Sequence, residues 1–146
     1  MFNINKDATI LFCEFLDTAT EQGLRDIPLT ESSLLRIEKT ENVIIYERIP
    51  HAQIYLTMLT KNMAEDIVDF KMSFIVLDRR READEYNMIA IYPQACWQGG
   101  DDLCEESATI KQNCVDFFWP RIQRSHVIVA GQWLRHAKTK LNLINN

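Results

Sequence analysis

The chain is predicted to be one α+β domain over residues 1–146, an antiparallel sheet of four to six strands packed by an N-terminal helix and one or two C-terminal helices. Three observations lead there. An amphipathic helical stretch comes first, strand-length apolar runs follow and helical patterns close the chain, an order unlike the alternation of βαβ units. The stretch Met72–Tyr92 holds two apolar runs, Met72–Leu77 and Tyr86–Tyr92, around the charged centre Asp78–Glu85, which reads as a hairpin with a long, wet tip. Finally, 146 residues suffice for a single core that buries roughly 70% of the surface the unfolded chain exposes.

Taken in order, residues 6–22 carry Ala8, Leu11, Phe12, Phe15, Leu16 and Ala19 on one helical arc and Asp7, Glu14, Asp17 and Glu21 on the other, with Gly23 as a stop. A loop containing Pro28 follows. Residues 34–39 alternate, Leu35 and Ile37 against Arg36 and Glu38, as a half-exposed strand does. Thr40-Glu41-Asn42 is the expected turn into a strand over 43–48, Pro50 interrupts, and 52–59 forms a third strand. Residues 61–68 are a short polar link.

The central hairpin follows. Met72, Phe74 and Val76 point one way and Ile75 and Leu77 the other; Met88, Ala90, Tyr86 and Tyr92 share a face opposite Ile89 and Ile91. Neither strand has a polar face, so both faces of the hairpin are expected to be covered by helices, a second layer or another copy of the chain. Residues 93–106 read as one irregular stretch around Gly99-Gly100. Two helices are expected to close the chain, near 107–118 and 121–141, with Trp119-Pro120 at the junction.

No apolar run approaches the roughly 20 residues needed to span a bilayer, and the N-terminus lacks the basic region of a secretion signal. A cytoplasmic protein with no membrane partner is expected. The net charge of −5 argues against nucleic acid as a partner. It hides an asymmetry: residues 1–106 hold ten Lys/Arg against twenty Asp/Glu, whereas residues 107–146 hold six against one. Such a split either steers a partner or lets the two halves attract each other.

Candidate chemistry is sparse. Cys96 and Cys104 bracket the 93–106 stretch and could form a disulfide or half a metal site, but a cytoplasmic protein keeps thiols reduced and zinc favours closer pairs. Cys13 and Cys114 sit among apolar residues of the expected helices, as small core residues do. His126, within the apolar arc of the last helix, is the best single candidate for a catalytic or pH-sensing group, set against a hydrogen-bonded, partly buried histidine. His51 is placed in a loop and His136 near the edge of the helical arc. Asp101, Asp102, Glu105 and Glu106 could hold a hard cation but lack EF-hand spacing. Arg79-Arg80-Arg81 is surrounded by acids, and no phosphate-cradling glycine pattern occurs among four glycines. No catalytic residue, metal or cofactor is predicted.

Met72-Ser73-Phe74-Ile75-Val76-Leu77-Asp78 leading into the 83–91 stretch, together with Gln123-Arg124 and Trp133-Leu134-Arg135-His136-Ala137, resembles the YqiB-like family of uncharacterised bacterial proteins. About a third of the chain is covered. The family's acidic-basic residues after Gln-Arg are replaced here by Ser125-His126-Val127, and the Arg-to-Trp spacing is shorter. The resemblance implies a similar order of strands and a closing helix, and no activity.

The expected function is a non-enzymatic binding or interaction protein that forms a homodimer, with the aromatic residues of 92–97 and Trp119 as contact candidates. The alternative is a small-molecule-binding protein or enzyme with a pocket between the sheet and the last helix, lined by Tyr55, Tyr92, Trp97, His126 and Trp133. A third reading is a regulator that docks a basic partner on its acidic surface.

Overall fold

In the computed structural model, which describes residues 1–18, 23–99 and 104–145, an N-terminal helix, a sheet of eight strands and a C-terminal helix follow one another. Helix α1 (Lys6–Thr18) starts where Asn5 Oδ1 accepts the Ala8 N–H at 2.8 Å, an N-cap bond. The expected extension over 19–22 lies outside the described residues. Gly23 then takes a left-handed backbone (φ 75°), which costs a glycine little.

Strands β1 (Leu24–Pro28), β2 (Ser33–Tyr46), β3 (Ile49–Lys61), β4 (Asp66–Asp78), β5 (Ile89–Gln98), β6 (Cys104–Glu106), β7 (Ala108–Lys111) and β8 (Cys114–Phe118) pair in the order β6-β5-β4-β3-β2-β8-β7, with β1 beside β2. Every pairing is antiparallel except β2 with β8. Eight strands replace the expected four to six. Among the described residues no helix is long and apolar enough to cross a membrane.

The differences in strand layout have identifiable causes. The stretch expected to turn at 40–42 stays in one strand through an irregularity between Lys39 and Val43, held by Asn42 Nδ2 donating to Gln53 Oε1 at 3.0 Å. The reversal falls instead at Glu47-Arg48, both at positive φ (51° and 66°), the two-residue turn whose twist suits a hairpin. Residues 108–118, expected to be helical, form the β7–β8 hairpin around Gln112-Asn113, again both at positive φ (51° and 63°). Asn tolerates that conformation, and the β-branched and aromatic residues on either side favour pairing over a helix. The 93–106 stretch, expected to be irregular, is strand in β5 to Gln98 and in β6 from Cys104.

Helix α2 (Pro120–Asn145) begins with proline in the first turn, where its missing N–H costs nothing. Both helices pack on one face of the sheet. Phe12 meets Phe74 edge-on at 5.1 Å, and the Trp133 ring lies tilted against Phe70 at 4.9 Å. Leu35, Ile37, Ile54, Leu56, Met72, Val76, Ile89 and Ile91 complete this core.

The opposite face divides into two halves. At one end the sheet curls: Tyr46 on β2 and Tyr92 on β5 are separated by two strands, about 14 Å in a flat sheet, yet their rings are 5.5 Å apart. There the β7–β8 segment closes over the face through buried polar bonds. Gln94 Nε2 donates to Ala108 O at 2.7 Å, and the Ser107 hydroxyl donates to Pro93 O at 3.1 Å. Residues Met72–Val76 are consequently buried on both sides of β4, as the apolar hairpin predicts. At the other end Leu34, Thr57 and Leu59 are buried, Arg36, Tyr55, Lys71 and Trp97 are half-buried and Glu38 and Glu106 are exposed.

Candidate functional site

Alternation along each strand decides which side chains share the half-face turned away from the helices. Opposite the helix-facing Leu35, Ile37, Leu56 and Met72 stand Asp26 on β1, Arg36 and Glu38 on β2, Tyr55 and Thr57 on β3, and Lys71 on β4. Trp97 on β5 and Cys104 and Glu106 on β6 continue the same side. Lys71 occupies the centre. Its ammonium lies 4.6 Å from the Tyr55 ring centre and 5.0 Å from that of Trp97, and those rings are 6.1 Å apart. Two aromatic faces thus hold one cation in place by charge–quadrupole attraction.

The electrostatics of this face are mixed. Arg36 and Asp26 form a two-pronged ion pair at 2.8 and 3.0 Å, and this hydrogen bond lowers the Asp26 carboxyl below its ordinary pKa. Lys71, Glu38 and Glu106 form no ion pair among the described residues. Burial raises the Tyr55 hydroxyl, and the nearby charges of Glu38, Cys104 and Glu106 add to it.

A second feature lies between the sheet edge and the last helix. Cys96, Gln98, Cys104, Glu105, Ser125, His126 and Val129 line a pocket of about 430 Å³. His126 is 2% exposed, and its Nε2 is 2.8 Å from Glu105 Oε1; its Nδ1 is buried without a hydrogen-bond partner among the described residues. Cys96 borders the same pocket, but burial pushes its thiol up to about 11, so it is not a ready nucleophile.

A third, larger groove of about 630 Å³ runs over Ile37, Ile54 and Val76 beside the end of α1. Its guanidinium, Arg80, is fully engaged: Asp17 takes bonds from both terminal nitrogens, Asp78 takes two more and Ala83 O the last, all at 2.9–3.1 Å. No donor is left for an anion.

The five residues expected to line one pocket fall into three places. Tyr55 and Trp97 come together on the half-face turned away from the helices, with Lys71 between them. Tyr92 lies at the curled end with Tyr46 and His51. His126 and Trp133 are buried on the helix side, His126 at the small pocket and Trp133 against Phe70.

Other residues differ from expectation. His51 is a buried residue of β3 and no loop residue, with Nδ1 2.8 Å from Ile49 O. Cys114 is exposed on β8 instead of packed in a helix, whereas Cys13 is buried as expected. Cys96 and Cys104 are both free and point to opposite sides of the sheet, since Cys96 pairs with Glu105 and Cys104 with Trp97. Asp101 and Asp102 of the acidic stretch lie outside the described residues. Trp119 is exposed and meets Phe117 edge-on at 4.9 Å. Lys71 was not singled out by sequence; the signal was there in its alternation with Phe70 and Met72, which extends the apolar run back by two residues.

Comparison with protein-family models, with curated proteins and with solved structures finds no match to this chain.

Proposed function

We propose that the protein is a non-enzymatic interaction protein that works as a homodimer, and that the half of the sheet face around Tyr55, Lys71 and Trp97 is its contact surface. One observation carries this reading: the half-buried Tyr55–Lys71–Trp97 cluster, with exposed Glu38 and Glu106 on the same sheet face. Aromatic side chains with a polar tip are favoured at interfaces because they bury much area at small entropic cost. Light scattering coupled to gel filtration tests it. A mass twice 17.1 kDa at tens of micromolar is expected, and a monomer at that concentration would sink the homodimer.

A second reading, a small-molecule-binding protein or enzyme with its pocket between sheet and last helix, draws on the buried His126–Glu105 pair at 2.8 Å beside the small pocket. A carboxylate on one imidazole nitrogen leaves the other free to accept a proton or a ligand. Mass spectrometry under native conditions tests this: a retained organic molecule lost in His126→Leu supports it, and a bare chain argues against it. The resemblance to YqiB-like proteins adds a strand order and a closing helix to either reading, and no chemistry.

A further inference from the structure

Resting on the pocket reading above, and deepening it, we infer that the cleft between the β5–β6 edge and α2 binds a small organic cation, a protonated primary amine with a short apolar tail, whose N–H groups are accepted by Glu105 and His126. Cys96 and Glu105 place the cleft on the helix side of the sheet, away from Tyr55, Lys71 and Trp97, so it does not compete with the homodimer contact. Its volume of about 430 Å³ falls within the roughly 300–1,000 Å³ of ligand pockets. The floor is buried Cys96 and His126 with half-buried Val129, and Gln98, Glu105 and Ser125 form an exposed rim.

Charge and hydrogen-bonding capacity select the ligand. Glu105 brings a full negative charge, and among the described residues no lysine or arginine lines the cleft. Arg124, next to Ser125 in the chain, is turned instead onto the Phe2 ring at 4.6 Å. An anion meets repulsion there, whereas a cation neutralises the carboxylate. A carboxylate only accepts, so the proton of the 2.8 Å bond sits on His126 Nε2, and Nδ1 of the neutral ring is left as an acceptor. That Nδ1 is buried with no partner among the described residues. A buried polar atom left unpaired is unfavourable, and a donor carried in by a ligand relieves it. An ammonium group carries three donors and no acceptor, which suits Glu105 and His126 with a rim oxygen of Gln98 or Ser125 for the third. Val129 and the sulfur of Cys96, kept protonated because burial pushes its thiol up to about 11, give the tail an apolar floor. Thiol, imidazole and carboxylate also suit a metal ion, but no three such groups converge as a metal site requires among the described residues.

An NMR titration of the full chain at neutral pH tests the assignment, with n-hexylamine as the probe and hexanol and hexanoate as its neutral and anionic counterparts. Hexylamine should shift the backbone amides of Cys96, His126 and Val129 and saturate with a dissociation constant of about 1 mM, as suits a ligand of so few atoms. Hexanoate should leave those amides in place. Glu105→Gln keeps an acceptor for the His126 Nε2–H and removes only the charge, and should weaken hexylamine about tenfold. Asp116→Asn, which removes the same charge from exposed β8, should bind as wild type does. Circular dichroism confirms that both variants fold. Hexanol or hexanoate saturating as tightly as hexylamine, or Glu105→Gln binding hexylamine unchanged, overturns the cation while the pocket reading stands. Zinc chloride saturating the same amides where hexylamine does not makes this a metal site and overturns the amine likewise. No shift from any of these probes removes the pocket reading as well.

Discussion

Replacing Arg80 with alanine examines how the end of α1 is tied to the central hairpin. Arg80 has a side chain only 8% exposed, and all five of its N–H groups are used on Asp17, Asp78 and Ala83 O. Removing one partner of a wholly buried ion pair costs about 3–5 kcal/mol. Here the carboxylates of Asp17 and Asp78 are 42% and 38% exposed, and water can take over their bonds. The expected loss is therefore smaller, about 2–3 kcal/mol. With an unfolding entropy of about 2.1 cal/mol/K per residue, that lowers Tm by roughly 6–10 °C.

The pH dependence follows from Asp78. Burial alone would raise its carboxyl, but the side-chain and backbone hydrogen bonds with Arg80 outweigh burial and leave it below its ordinary value. A lowered carboxylate pKa contributes stability that is complete above the unfolded value, about 3.9, and is lost as pH falls through the folded one. The gap between wild type and Arg80→Ala should hold at pH 7 and narrow below about pH 4. Arg80→Lys, with three donors in place of five, should recover less than half of it. Thermal melts followed by circular dichroism decide. An Arg80→Ala protein that melts within about 2 °C of wild type at pH 7 would refute this reasoning.

Two further predictions concern backbone and thiols. Glu47→Asn with Arg48→Gly should raise Tm by about 2–4 °C in the same melts, because Asn-Gly occupies the two left-handed positions with less strain. A lowered Tm would mean that the reversal is not built on residues 47 and 48. With a thiol reagent near pH 8, exposed Cys114 should react quickly and exposed Cys104, whose thiol burial raises, more slowly, whereas Cys13 and Cys96, buried and each pushed up to about 11, should react only as the protein opens. Slow labelling of Cys114 would contradict the β7–β8 hairpin and favour a packed helix there.

What could be read from the sequence was periodicity on a large scale. The arcs of α1 and α2 each repeat often enough to fix an element and its buried side; the two runs of the central hairpin, apolar on both faces, indicate strands covered on both sides, although Tyr86–Met88 forms a 3-10 turn ahead of β5. What escaped was local. Glu47-Arg48 carries no turn signature, since any residue pair can be forced left-handed when the strands on either side pair well. Cys114-Val115-Asp116-Phe117-Phe118 has too few residues to distinguish a short strand from a helical turn, and only pairing with β7 settles it. The site suffered for the same reason. Tyr55, Tyr92, Trp97, His126 and Trp133 are chemically reasonable lining residues, but strand parity decides which side of the sheet each one faces. Parity is legible only once strand boundaries are known, and β5 continuing through Pro93 to Gln98 was not anticipated.

The homodimer is tested most directly by native mass spectrometry of the wild-type chain from about 1 to 100 μM, at low and at high salt. A dimer of bare chains that grows with concentration and recedes with added salt is the predicted result. A chain that stays monomeric over the whole range contradicts the account.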